Sequence, residues 1–151
     1  MRAALRWNAK LVAVAYVFLD LLCVGAGMGV PVFCILLGFP AGWYLARRAA
    51  LDDGGARNAL RRTLLWTGLA ALFTFVVMAA LWGPAAGMLF DPNADLANFG
   101  IPMILYTPKA SFIGWFVLMI FISPFLQWLS AVFSAFVTLA WAWKGAAIGQ
   151  G

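Results

Sequence analysis

Apolar residues fall into four long runs along this chain, each closed by charge, glycine or proline. They cover residues 11–28, 31–46, 63–83 and 112–143, and Asp20 is the only charge in the first. Such runs predict transmembrane helices, because about 20 apolar residues rising about 1.5 Å each match a hydrocarbon core of about 30 Å. The second run reaches only about 25 Å, which leaves open a shallow hairpin of the first two helices that does not cross fully.

The segments between the runs have the chemistry of turns and surfaces. Gly25-Ala26-Gly27-Met28-Gly29, followed by Val30-Pro31, signals a tight reversal. Residues 47–62 read as a polar connector, with Arg47, Arg48, Arg57, Arg61 and Arg62 against Asp52 and Asp53, and Gly54-Gly55 as a breaker. Residues 84–111 read as a long loop rich in proline and glycine. Its stretches Met88-Leu89-Phe90 and Ile101 to Tyr106 are too apolar for open water, so it is expected to lie on the membrane surface or over the bundle. In the fourth run Ser123-Pro124 predicts a kink or a tilt.

The basic start Arg2, Arg6 and Lys10 before an apolar run also fits a signal peptide, with Val24 and Ala26 as small residues ahead of a cleavage point. Asp20-Leu21-Leu22 before Cys23 lacks the small residue of a lipoprotein site. The segment is read as a retained helix.

Composition makes water an unsuitable solvent for the whole. Hydrophobic residues are 66% and charged residues 10% of the chain, and mean hydropathy is +0.97. The net charge of +5 would suggest nucleic acid, but nine of the ten lysines and arginines fall at one set of span ends, leaving only Lys109 opposite. That asymmetry orients a membrane protein. The expectation is an all-α membrane protein: one domain over residues 1–151, four transmembrane helices, cytoplasmic N and C termini, and a long outer loop between helices 3 and 4. Its expected location is a bacterial cytoplasmic membrane, with the lipid bilayer as partner and no nucleic acid.

Chemistry is sparse. There is no histidine, and the two cysteines, Cys23 and Cys34, stand outside any CxxC, so no metal site or cofactor is expected. Both thiols are read as small buried hydrophobes. Trp43, Trp66, Trp82, Trp115, Trp141 and Trp143 lie near expected membrane boundaries, as an aromatic belt does. Without a histidine for a nucleophilic serine, paired intramembrane acids or a phosphate-binding loop, catalysis is not expected.

Asp20 is the sharpest candidate for function. An ionised carboxylate at mid-bilayer depth costs at least ~2.5 kcal/mol, so the group must be protonated, paired or hydrated. Tyr16 lies one turn away on the same face as a hydrogen-bond partner, and together they form the candidate proton or cation site. The alternative is an aspartate satisfied within the bundle or across a subunit contact.

Ser123, Gln127, Ser130, Ser134 and Thr138 are spaced by four, three, four and four residues and share one helix face. Such a stripe serves helix contact, or lines a polar path. Thr63, Thr67 and Thr74 give the third span a weaker version of that face. The plan of four short helices with one acid in the first is similar to that of the small multidrug exporters, which use a glutamate and lack this long loop. The leading expectation is a non-enzymatic multi-pass protein acting by assembly, as a homo-oligomer or an accessory subunit of a membrane complex. The alternative is a small proton- or cation-coupled transporter or channel using Asp20.

Overall fold

The computed structural model describes residues 8–26, 32–51, 55–100, 103 and 105–148. Every regular element among them is helical. In chain order these are α1 (Ala9–Ala26), α2 (Val32–Leu51), α3 (Gly55–Trp82), a 3-10 turn (Gly83–Leu89), α4 (Pro108–Val117), a π turn (Leu118–Ile122) and α5 (Ser123–Ile148). The basic residues Arg2 and Arg6, most of the glycine-rich reversal (27–31), and Asp52, Asp53 and Gly54 lie outside the described residues.

Two stretches are long and apolar enough to cross a membrane: Arg57–Leu89, with mean hydropathy 2.2, and Pro108–Trp143, with 2.0. Only 17% and 33% of their most apolar windows are buried within the protein. Core helices of a soluble fold hide such surface, whereas these present it outward. By rise per residue, α1 and α2 are about 27 and 30 Å long.

Helix continues through most of the stretch that its polar composition marks as connector. Arg47 and Arg48 sit in α2, and Arg57, Arg61 and Arg62 in the first two turns of α3. Arginine is a good helix former, so its appearance does not end the helix. Near the end of α2 the Arg48 guanidinium donates to the Tyr44 hydroxyl one turn earlier, at 3.1 Å.

α4 begins after Thr107, whose hydroxyl accepts from the Ala110 N–H at 3.3 Å, with Pro108 as the first helical residue. The Ser123-Pro124 step produces a π turn. Pro124 offers no N–H and its ring crowds the carbonyl four residues back; one widened turn accommodates both, with the Ser123 N–H donating to the Leu118 carbonyl.

The helices alternate in direction. Gly38 and Gly42 of α2 lie on Gln127 and Ala131 of α5 in the same order, so α2 and α5 run side by side in one sense. α3 runs against them: Ala59 clusters with Leu139 at one end, and Met78 with Met119 at the other. The end holding Ala46, Ala49, Ala59, Ala135 and Leu139 is built mostly of alanine, which brings the helix axes close. The opposite end is filled by larger groups, among them Met78, Trp115, Met119 and Ile120. Polar side chains occupy the level between.

The segment from Gly83 to α4 is tied down by its own polar groups. The Asn98 side chain and backbone N–H donate to the Asp95 carboxylate at 2.6 and 3.2 Å and hold it below the usual carboxylate range. The Ser111 hydroxyl both accepts from the Leu105 N–H, at 2.8 Å, and donates to its carbonyl. Phe99 packs edge-on to Phe112. Phe90, Met103 and Tyr106 nevertheless project outward, apolar groups at the end of the bundle.

Candidate functional site

Asp20 has no solvent exposure at all. α1 delivers it to a point where α3 and α5 each present a donor. The Thr74 hydroxyl lies 2.9 and 3.0 Å from its two oxygens, and the Gln127 amide nitrogen donates to Oδ1 at 3.1 Å. The same amide nitrogen donates to the Tyr16 hydroxyl at 2.9 Å. Tyr16 therefore reaches Asp20 through Gln127, so the side chain on the far helix joins two residues one turn apart on α1.

This knot ties three helices at one level, and its chemistry suits a group removed from water. A carboxylate takes both donors as they stand. A protonated acid can instead donate to the Thr74 oxygen, whose own hydrogen then turns to the Ala70 carbonyl at 3.3 Å. Both forms are served by donors and acceptors of the chain itself, which offsets the desolvation of a lone buried acid. Two oxygens of α5, Ser123 Oγ and Gln127 Oε1, have no hydrogen-bond partner among the described residues although both side chains are buried.

The polar stripe of the C-terminal rod divides by task. Gln127 faces Asp20, and Ser123, one turn before it, is buried. Ser134 donates across to the Phe39 carbonyl of α2 at 2.8 Å. Ser130 and Thr138 bond back to the carbonyls of Leu126 and Ser134 in their own helix. On α3, Thr63 and Thr67 likewise bond to their own backbone, at Ala59 and Leu64, and only Thr74 reaches another helix.

α2 meets α5 at two glycines, which were not among the residues singled out above. A Cβ built on Gly38 would press on the Gln127 carbonyl oxygen, and one on Gly42 on the Ala131 carbonyl oxygen. With Ala46 these glycines form a small residue every fourth position, the signal that could have marked this face beforehand. Cys34, one turn before Gly38, is buried beside Val24 and Met78, and neither cysteine is in a disulfide.

Compared with protein families, characterised proteins and solved structures, the chain matches none. The case for its function therefore stands on the geometry.

Proposed function

We propose that this is a four-span integral membrane protein of a cytoplasmic membrane, with both termini and the arginine-rich ends of α2 and α3 in the cytoplasm. It works without catalysis, by associating with further copies of itself or with other membrane subunits. The observation that carries this reading is the enclosure of Asp20 by Thr74 and Gln127 of its own bundle. The one acid at mid-membrane depth is engaged in clamping helices, which leaves the outer flanks as the working surface. Along α5 that surface includes Phe125, Leu129, Phe133 and Phe136, an exposed apolar ridge at helical spacing.

Extraction in a mild detergent followed by light-scattering mass determination tests this. A defined assembly, homomeric or with stoichiometric foreign subunits, is expected. A monodisperse single chain that carries proton-coupled flux in liposomes would sink it and establish the second reading, in which Asp20 serves as a proton or cation site. The unpartnered oxygens of Ser123 and Gln127 favour that alternative, being the groups a passing cation or water would use.

Orientation has its own test, motivated by the nine-to-one distribution of lysine and arginine. On a background free of native cysteines, a cysteine replacing Gly55 should react with an impermeant probe only after the cytoplasm is opened. One replacing Asn93 should react from outside. The reverse pattern rules this topology out.

A further inference from the structure

We infer that the basic end of the α2–α3 contact is a docking site for an anionic phospholipid, which it holds by the headgroup phosphate. A cavity of about 350 Å³ opens there, at the small end of the range for ligand pockets. Buried Ala49 and Ala59 form its floor, and Asn58, Arg61 and Arg62 give it polar walls. Leu65 and Trp66 complete the lining, and they are 55% and 54% exposed.

The order of these residues along α3 identifies the ligand. Asn58, Arg61, Arg62, Leu65 and Trp66 succeed one another at helical spacing, and exposed Leu69 and Leu72 continue the line. One strip of surface thus passes from amide and guanidinium to indole and then to aliphatic groups within about four turns. A phospholipid has the same succession: an anionic phosphate, a glycerol ester layer and an acyl chain. A soluble phosphate would use only the first part of the strip. Guanidinium groups suit phosphate because their planar donors match its oxygens. Basic pockets between membrane helices on the cytoplasmic side are the setting in which such headgroups are held. The inference rests on the membrane placement proposed above. Arg61 is the residue on which it turns, since Arg62 has an interaction of its own within the protein.

Native mass spectrometry of the detergent-purified protein, with phosphatidylglycerol or phosphatidylcholine of identical chains added, reads the effect directly. Wild type should retain phosphatidylglycerol preferentially. Arg61→Gln should weaken that binding about fivefold and leave phosphatidylcholine unchanged, Arg61→Lys should restore the charge-dependent part of it but not the whole, and Lys109→Gln at the opposite end should change neither. Glycerol phosphate should not compete. Equal retention of the two lipids by wild type, undiminished binding by Arg61→Gln, or displacement by glycerol phosphate would each overturn the site while leaving the membrane placement intact. Recovery of the chain from the aqueous fraction without detergent would overturn both.

Discussion

Replacing Asp20 with asparagine should leave thermal stability in detergent within about 0.5 kcal/mol of wild type, whereas Asp20→Ala should cost roughly 1–3 kcal/mol. Asparagine keeps an acceptor for Thr74, and its amide can donate to Gln127 Oε1, which has no partner in the native protein. Alanine takes the cross-helix acceptor from Thr74 and one of its two acceptors from the Gln127 amide, which keeps only Tyr16, and leaves a small void where the carboxylate stood. Thr74→Val provides the control that isolates the contact. It should cost about 1 kcal/mol alone and nearly nothing in the Asp20→Ala background, because the interaction it removes is already gone. Strict additivity of the two changes would show that the knot does not hold the helices. Abolished flux in a stable Asp20→Asn protein would show that it does something else as well.

A larger loss is expected at Gly42. Its missing side chain lets α2 meet the backbone of α5, and an added Cβ would lie 2.7 Å from the Ala131 carbonyl carbon and 2.9 Å from its Cα. Backbone cannot swing aside as a side chain does, so Gly42→Ala should cost about 3 kcal/mol and Gly42→Leu should prevent the pair from closing. Gly25 has nothing within 4 Å of the same construction. Gly25→Ala should therefore be neutral or slightly stabilising, since alanine is the better helix former. Thermal unfolding of the three variants in one detergent decides it, and similar midpoints for Gly42→Ala and Gly25→Ala would mean that the close approach is not maintained in solution.

These two sites show what could be read from sequence alone. The runs of apolar residues located the helices, because solvent preference is recorded residue by residue. Within the stretch 47–62 the helices run on past the apolar runs, since arginine changes the polarity of a helix without ending it. Asp20 and Gln127 both stood out as polar residues in apolar surroundings. Their meeting did not, because it depends on how α1 and α5 turn toward each other across more than a hundred residues. The polar stripe was visible as a face, but its separation into cross-helix and self-directed hydroxyls depends on which neighbour lies within reach, as Ser134 and Ser130 illustrate. Gly38 and Gly42 carried a pattern that periodicity could have exposed.

The knot also imposes an order of events during synthesis. α1 precedes both of its partners, for Thr74 is made more than fifty residues after Asp20 and Gln127 more than a hundred after it. The most extensive helix contact among the described residues, between α2 and α5, likewise waits for α5 to be made. At typical elongation rates of about 5–20 residues per second, Asp20 spends on the order of ten seconds without its partners. In the membrane placement proposed above, a nascent acid must be sheltered during that interval by the insertion machinery, by water at the bilayer edge or by a proton. α1 is thus held only after α3 and α5 have been made, and any factor that attends this protein in the cell has its opening in that delay.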